Sequence, residues 1–262
     1  MNILAMTVCC VDVYPGTGDI YVGGNALNFA VQCVKSGADE TAILGAIGND
    51  RYGELIWRYL MTKPIDISHL HHKEGRTASN TIYINENNDR YFRPDSWDGG
   101  VYANYRLTRE DIDFMNSFYI VATTSIEPNL QTICRYRKNF RLTLDYLDTR
   151  DYSLMDEMLP QTEISFISGD KDVIGRVKPL SVKHDALIVV TLGTEGSYAV
   201  YQGKEYIQKA EAVEKIVDTT GCGDAYQAAF TVSYFLYGDI KTAMKRGSEA
   251  AARVLNHYGG VD

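Results

Sequence analysis

Residues 217–225 read VDTTGCGDA and lie where an extended segment runs into a long apolar helix pattern. Gly221 and Gly223 permit a tight turn whose backbone N–H groups face outward at the start of that helix. Unpaired N–H donors and the helix dipole make such a turn favourable for an anion, and a phosphoryl group would fit there. Asp224 comes next, and a carboxylate beside an anion is costly unless it has a task such as accepting a proton. The alternative for this pattern is a capped helix without a chemical role.

Apolar runs typical of buried parallel strands recur along the chain. They cover residues 3–11, 41–47, 119–122, 142–145, 164–167 and 186–192. Patterns with helical spacing lie between and after these runs, at residues 25–35, 52–61, 130–138, 225–237 and 240–257. This alternation of strands and helices predicts an α/β fold built on a doubly wound sheet.

A polar cluster, NENND at residues 85–89, interrupts this alternation. It separates residues 77–84 from residues 90–92, and both stretches are rich in β-branched and aromatic side chains, which indicates a hairpin. Together with a short strand at 20–22, the hairpin is expected to form a small sheet that covers a site at the edge of the main sheet. An ordinary edge hairpin explains the same pattern equally well.

The composition argues against several classes of partner. The chain has 262 residues, of which 45% are hydrophobic, and a formal net charge of −8 without any block of Lys or Arg. It lacks the electrostatic footprint of nucleic-acid or anionic-membrane binding, so small molecules are the expected partners. No apolar run approaches the roughly 18 residues of a transmembrane helix, and no basic leader precedes the first strand. The five cysteines form no C-x-x-C pair, which favours a reducing, cytoplasmic location.

Two ordered motifs resemble the signatures of the ribokinase (PfkB) family of carbohydrate kinases. Residues 217–225 match the C-terminal signature D-T-x-G-A-G-D, with Cys222 in place of Ala. Residues 23–30, GGNALNFA, match the N-terminal signature, and GAIGNDRYG at 45–53 follows at the usual distance. A coincidence of two separate motifs in the right order is improbable, so the resemblance supports the chemical interpretation of the glycine turn.

The resemblance spans nearly the whole chain and implies a fold. It implies one kinase domain, residues 1–262, with a ribokinase-like three-layer α/β sandwich and a small β-sheet lid at about residues 12–22 and 76–95. Lid strands in this family often pair between subunits, so the resemblance also implies a homodimer through the lid.

The resemblance also implies roles for residues at the site. Asp224 would be the catalytic base, beside the backbone amides of Gly221, Cys222 and Gly223, which would hold the transferring phosphoryl group. Sugar hydroxyls would contact Asp12, Gly23, Gly24 and Asn28. The strand and turn VVTLGTEG at 189–196 resembles the nucleotide site, which assigns ATP binding to Thr191, Gly193 and Gly196.

The cation sites are the part of the resemblance that fits least well. The family usually carries Asn-x-x-Glu near Mg²⁺, whereas this chain has Ser168 at the Asn position, followed by Asp170 and Asp172 as candidates for the missing carboxylate. The spacing does not decide between the two aspartates. Gly259 resembles a position that lines a monovalent cation site with Asp218 and Thr220, which implies K⁺ besides ATP and Mg²⁺.

Within the family, the chain is most similar to the bacterial fructoselysine kinases. The similarity rests on VDVYP at 11–15, IDISH at 65–69, NDR at 88–90 and HYGG at 257–260. It implies an ATP-dependent kinase that phosphorylates O6 of fructoselysine or a related fructosyl-amino acid, with Arg90 or Arg93 contacting a carboxylate or phosphate.

Other functions remain open from the sequence. The same scaffold would suit a kinase for fructose, ribose, a nucleoside or a sugar acid. The altered segment at 168–172 also allows a non-catalytic sensor of a sugar or nucleotide. An NAD(P)-dependent oxidoreductase is disfavoured, because G-x-G-x-x-G is absent after the first strand.

Overall fold

The structure, a computed structural model, describes residues 1–85, 90, 91 and 93–262, except for the side chains of residues 84 and 90. The strands among these residues are β1 (Asn2–Met6), β2 (Cys10–Tyr14), β3 (Asp19–Gly23), β4 (Glu40–Gly48), β5 (Asp66–Lys73), β6 (Ser79–Thr81), β7 (Tyr83–Ile84), β8 (Arg90–Tyr91), β9 (Trp97–Asp98), β10 (Ile120–Thr124), β11 (Arg141–Asp145), β12 (Ile164–Ser168), β13 (Leu187–Thr191), β14 (Ser197–Tyr201) and β15 (Lys204–Gln208). The α-helices are α1 (Asn25–Lys35), α2 (Arg51–Leu60), α3 (Arg109–Met115), α4 (Leu130–Tyr136), α5 (Tyr152–Met158), α6 (Lys171–His184), α7 (Cys222–Tyr237) and α8 (Ile240–Val254).

The main sheet has the strand order β15-β14-β13-β12-β11-β10-β1-β4-β5. The strands from β13 to β5 run parallel, while β14 and β15 add an antiparallel edge. Strand β1 has β4 on one side and β10 on the other, so the chain reverses its direction of travel across the sheet at this strand. Such a switch point opens a crevice at the carboxyl ends of the strands, where ligands of open α/β sheets bind.

Helices cover both faces of the main sheet. Leu4 and Met6 of β1 face the layer of α3, α4, α5 and α6, whereas Ile3 and Ala5 face α1, α2 and α7. Helix α8 packs beside α7 on this second face. Successive side chains of a strand point to opposite faces, so a strand buried on both sides is apolar throughout. The predicted three-layer α/β sandwich is confirmed.

A smaller sheet lies next to the carboxyl end of β1. Its strand order is β3-β2-β6-β9, and β7 and β8 form a separate antiparallel pair. The predicted small sheet is therefore confirmed, and it extends to Asp98, beyond the expected limit at residue 95. Residues 86–89 of the predicted turn at 85–89 lie outside the described residues. That the whole chain is one kinase domain with this sheet as its lid stays a prediction.

The predicted single strand at 3–11 is wrong in one respect. The chain leaves the main sheet after Met6 and joins the small sheet at Cys10, so residues 7–9 form a crossover between the two sheets. The carbonyl oxygen of Val8 in this crossover accepts a hydrogen bond from the Ala26 N–H of α1 at 3.0 Å. A continuous apolar run does not reveal such a change of sheet. Among the described residues, no helix is both long and apolar enough to span a membrane.

Candidate active site

Gly221 and Gly223 lie at the start of α7, as the glycine turn predicted. Gly221 is the residue before the helix and has a φ of 77°, a left-handed conformation that glycine adopts without strain. A Cβ at this position would lie 2.4 Å from the Cα of Gly260, so glycine is needed here for space as well as for backbone conformation. Cys222 is the first residue of the helix. The N–H groups of this first turn have no carbonyl partner within the helix, although the Cys222 N–H donates to the Thr219 carbonyl oxygen at 3.4 Å. A Cβ on Gly223 would meet nothing within 4 Å, so this side of the turn is open.

Asp224 is held by two amide side chains from α1. The Nδ2 atom of Asn25 donates to Oδ1 of Asp224 at 2.9 Å, and Nδ2 of Asn28 donates to Oδ2 at 2.8 Å. Residues three apart in a helix share a face, so both amides face α7. The carboxylate is 9% exposed, and its place in the first turn of α7 suits a negative charge. The starts of two helices therefore orient one carboxylate.

Gly24 allows α1 to begin close to the crossover. It has a φ of 92°, and a Cβ on it would lie 2.5 Å from the carbonyl oxygen of Val8 and 2.8 Å from the backbone nitrogen of Cys10. A larger residue would push the first turn of α1 away from β2. The paired glycines of the sequence motif thus set the position of Asn25 and Asn28.

A row of three side chains crosses the small sheet. Asp12 on β2 is paired in register with Asn80 on β6, and Asn80 is paired with Trp97 on β9. Asp12 is 3% exposed, and a Cβ on Gly23 would lie 2.5 Å from its Oδ2 atom. Gly23 is therefore the residue that leaves room for the Asp12 carboxylate.

A cleft of about 530 Å³ brings these elements together. Its lining includes Asp12, Gly24, Asn28, Ser168, Thr220, Gly221, Gly223 and Asp224, all of which the sequence assigned to the site. It also includes Asn80 and Trp97 of the small sheet and Thr7 of the crossover. The cleft thus lies where the carboxyl ends of the main sheet meet the small sheet, as expected for a switch point.

The charged side chains among the described lining residues of the cleft are all acidic. Four carboxylates line it, from Asp12, Asp145, Asp148 and Asp224, and no Lys or Arg is among its described lining residues. Burial raises the pKa of Asp145 to about 7, although hydrogen bonds from Gln227 and from the Leu147 N–H act in the opposite direction. A cleft of this kind attracts a cationic group on a ligand.

Several residues of the cleft escaped the sequence analysis. They are Asn25, Asn80, Trp97, Asp145, Asp148 and Gln227. Asp145 ends β11, and the rule that ligands bind beyond the carboxyl ends of parallel strands was a signal that would have found it. Asn25 and Gln227 carried no such signal, because their role depends on how α1 and α7 pack against each other.

The residues assigned to the nucleotide lie at the ends of β12 and β13. The hydroxyl groups of Ser168 and Thr191 are 3.1 Å apart, so Thr191 lies beside the cleft-lining Ser168. Gly193 and Gly196 follow in a turn with φ values of 57° and 99°. A Cβ on Gly196 would lie 2.0 Å from the Gln208 carbonyl oxygen. Space alone therefore accounts for a glycine at this position.

Asp170 has a structural task at the start of α6. Its Oδ1 atom accepts hydrogen bonds from the N–H groups of Asp172 and Val173 at 2.9 and 3.1 Å, which is a helix N-cap. Asp172 is exposed, and neither aspartate is part of the described cleft lining. Their assignment to Mg²⁺ stays a prediction.

Asp218, Thr220 and Gly259 lie together, as the resemblance implied. The Oδ1 atom of Asp218 accepts from the N–H and hydroxyl of Thr220 at 2.9 and 2.8 Å. Its Oδ2 atom accepts from the Tyr14 hydroxyl at 2.6 Å and from the Gly259 N–H at 3.0 Å. The four donors direct their hydrogen atoms at the two carboxylate oxygens. A monovalent cation would need the same oxygens, so it fits this carboxylate only if one of the four hydrogen bonds is lost. The K⁺ site stays a prediction, and the Arg90 side chain lies outside the described part of the chain.

Residues 10–262 match the family model described as pfkB family carbohydrate kinase. The chain belongs to this family. It is 29% identical over 254 residues to the fructoselysine 6-kinase of Shigella flexneri, covering 95% of each chain. It is 24% identical over 268 residues to the fructosamine kinase FrlD of Bacillus subtilis, covering 99% of this chain and 92% of the relative.

The pfkB fold is also shown by solved structures. The adenosine kinase of Sinorhizobium meliloti superimposes with a TM-score of 0.84 at 19% identity, covering 100% of this chain and 95% of that one. This superposition shows the ribokinase-like fold. The family match and the kinase relatives show an ATP-dependent sugar kinase.

Proposed function

We propose that this kinase transfers the γ-phosphoryl group of ATP to O6 of fructoselysine or a related fructosyl-amino acid. The observation that carries the proposal is the acidic cleft, with four carboxylates and no Lys or Arg among its described lining residues. A fructosyl-amine carries a protonated secondary amine next to the sugar, and this charge is favoured by a negative potential. A sugar acid would bring a carboxylate into the same field without any cationic group, so it should bind more weakly than a fructosyl-amine. The relatives named fructoselysine 6-kinase and fructosamine kinase support the same choice.

The sugar would lie between the small sheet and the start of α1. Asp12, Asn28 and Asn80 present carboxylate and amide groups that suit sugar hydroxyls as donors or acceptors. Trp97 lies at the end of the same row and offers an apolar surface for the carbon face of the sugar. Gly23 and Gly24 would act by leaving space for this arrangement.

The proton acceptor would be Asp224. As O6 attacks the γ-phosphorus, the O6–P bond forms, the bond from phosphorus to the bridging oxygen of ADP breaks, and the proton of the 6-hydroxyl passes to the Asp224 carboxylate. Asn25 and Asn28 would hold that carboxylate in line with the hydroxyl. The backbone N–H groups of Gly221, Cys222 and Gly223 would stabilise the charge that spreads over the transferring oxygens.

ATP would occupy the side of the cleft formed by Ser168 and Thr191, with Gly193 and Gly196 shaping the adjoining turn. Mg²⁺ would neutralise charge on the ATP phosphates. Carboxylate oxygens suit this ion, and Asp148, an exposed side chain on the cleft wall, fits that role besides the predicted Asp170 and Asp172. Asp148 is thus the carboxylate of the described cleft wall best suited to the ion.

The proposal includes a cytoplasmic location and a homodimer that pairs through the small sheet. Cys9, Cys10, Cys33 and Cys134 form no disulfide, and the first three are buried, which suits a reducing compartment. Strands β3 and β9 are the edges of the small sheet and would be the pairing strands. Sedimentation of the purified protein at several concentrations tests the dimer.

The substrate is tested by measuring ATP consumption on a panel of fructoselysine, fructose, ribose, adenosine and gluconate, with the phosphorylated oxygen located by NMR. We expect the highest kcat/KM for fructoselysine, with phosphate on O6. Equal or better turnover of a neutral sugar or of gluconate would contradict the proposed substrate, and binding without transfer would indicate a sensor.

Ionic strength provides a matched control for the charge argument. Salt screens the attraction between a cationic substrate and the acidic cleft. We expect the KM for fructoselysine to rise with added salt while the KM for fructose changes little. Parallel changes for the two substrates would show that the cleft charge does not select the amine.

A further inference from the structure

Three side chains converge on one point at the edge of the main sheet, away from the cleft. The Nδ1 atom of His69 and the Nε2 atom of His71 each lie 2.7 Å from Oδ1 of Asp111. His69 and His71 are two apart on β5, so they point to the same side of the strand. Asp111 belongs to the first turn of α3. None of the three lines the described cleft, and the kinase chemistry does not use them.

The carboxylate of Asp111 is fixed with one oxygen toward the two imidazoles. Its Oδ2 atom accepts hydrogen bonds from the N–H and hydroxyl of Thr108 at 2.9 and 2.8 Å and from the Tyr105 hydroxyl. Together with the return bond from the Asp111 N–H to Thr108, this forms a capping box. Oδ1 is therefore left to the histidines.

Asp111 is a buried charge without a fixed cationic partner among the described residues. Its side chain is 0% exposed, while those of His69 and His71 are 20% and 29% exposed. Its described hydrogen-bond partners are hydroxyl groups, one backbone N–H and the two imidazoles. Buried charges in proteins are paired or coordinate metals. The exposed edges of the histidines leave a path for an ion from solvent.

We propose that His69, His71 and Asp111 bind a divalent transition metal of the zinc class. These atoms form a group within 4.8 Å of one another. Zinc sites have metal–nitrogen and metal–oxygen distances of about 2.0–2.2 Å in tetrahedral geometry, which separates neighbouring ligand atoms by about 3.3 Å. Each ligating imidazole nitrogen therefore needs to move roughly half an ångström away from Oδ1 of Asp111. It must also be the unprotonated nitrogen of its ring, so that its lone pair faces the ion. A water molecule completes the fourth position on the exposed side.

The ligand set separates this site from the Mg²⁺ of catalysis. Imidazole nitrogens suit zinc, nickel and copper, whereas Mg²⁺ prefers oxygen ligands and retains its water. The ligands join β5, an edge strand of the main sheet, to α3 on one face of that sheet. The bound ion thus cross-links two elements and raises the stability of the folded kinase.

The test uses the intact kinase, freed of metal with a chelator and titrated with Zn²⁺ in competition with a chromophoric chelator. We expect one equivalent of Zn²⁺ to bind. The substitution His71→Gln should weaken binding at least about tenfold. The matched control is His72→Gln, because His72 is the next residue of β5 and packs against Trp57, with ring centroids 4.7 Å apart. This control should bind Zn²⁺ like the wild type.

Three further measurements separate a metal site from a hydrogen-bonded cluster. At free Zn²⁺ about 100-fold above Kd, the wild-type Tm should rise by about 5–10 °C, whereas His71→Gln should show no such rise. An excess of Mg²⁺ should not displace Zn²⁺, and Co²⁺ should give the intense visible absorption of a four-coordinate site. The proposal is overturned if the wild type binds no Zn²⁺, or if folded His71→Gln binds it as tightly as the wild type.

Discussion

The side chain of Asn28 donates a hydrogen bond to Oδ2 of Asp224 at 2.8 Å, across 196 positions of sequence. With Asn25 on the other oxygen, the proposed proton acceptor is held by the start of a helix in the N-terminal part of the chain. The orientation of Asp224 therefore depends on how α1 and α7 pack, and substitutions around this contact separate chemistry from folding.

The first prediction concerns Asp224 itself. Asp224→Asn keeps the size of the side chain but removes its ability to accept a proton, so turnover should fall by roughly two to four orders of magnitude. Tm should stay close to that of the wild type. Steady-state ATP consumption and differential scanning calorimetry check both parts, and near-normal turnover would show that Asp224 is not the base.

The second prediction concerns Gly260, which lies against Asn28. A Cβ on Gly260 would lie 2.4–2.6 Å from three atoms of the Asn28 side chain, so Gly260→Ala should displace the amide that orients Asp224. Small misplacements of reacting groups cost large factors in rate, and we expect kcat to fall at least about tenfold.

The control for this substitution is Gly175→Ala, in the middle of α6. A Cβ there meets nothing within 4 Å, and alanine favours helix by roughly 0.5–1 kcal/mol relative to glycine. Gly175→Ala should leave kcat unchanged and raise Tm slightly. If both alanine variants keep the wild-type kcat, Asn28 does not position the carboxylate.

The third prediction concerns Cys222, which replaces the alanine of the family signature. The proposed anion site consists of backbone donors, and these remain when the side chain changes. Cys222→Ala should therefore retain most of the activity in the ATP assay. A folded but inactive variant would point to a chemical role of the thiol.

The fourth prediction concerns the pH dependence of stability. Burial raises the pKa of Asp145 to about 7 from an ordinary value near 3.9, so the folded chain binds this proton more tightly than the unfolded chain. The contribution of this tighter proton binding to the free energy of unfolding is fully present below about pH 4 and is lost as the pH rises through about 7.

Asp145→Asn removes this titration. Relative to the wild type, the free energy of unfolding of the variant should increase by roughly 2–3 kcal/mol between about pH 5 and pH 8. Urea denaturation at the two pH values measures it. Parallel changes in the two proteins would mean that Asp145 titrates alike in the folded and unfolded chains.

The sequence predicted the layers of the fold and the glycine turns of the cleft, because both follow from local patterns. Parallel strands buried on two faces are apolar throughout, and the glycine turns have local backbone requirements, as at Gly24 and Gly221. Strand β5, with the sequence DISHLHHK, was missed because it is a polar edge strand. Its buried Ile67 and Leu70 are three apart rather than two, which accompanies the register shift opposite Ala42 and Leu44.

The interactions that cross the molecule were beyond the sequence. Asn25 and Asn28 meet Asp224, and Tyr14 meets Asp218, only after helices and sheets have packed together. The filled hydrogen bonds of Asp218 depend on that packing, so a family motif alone overstates how readily a cation would bind there.

The crossover at residues 7–9 has a consequence for the position of the small sheet. The carbonyl oxygen of Val8 accepts a hydrogen bond from the Ala26 N–H, and Gly24 leaves no room for a side chain beside it. Strand β2, which carries Asp12, is therefore tied to α1 and to the central strand β1. Because Trp97 lies in the same sheet, two strands from Asp12, this attachment also sets where Trp97, 46% exposed, borders the cleft.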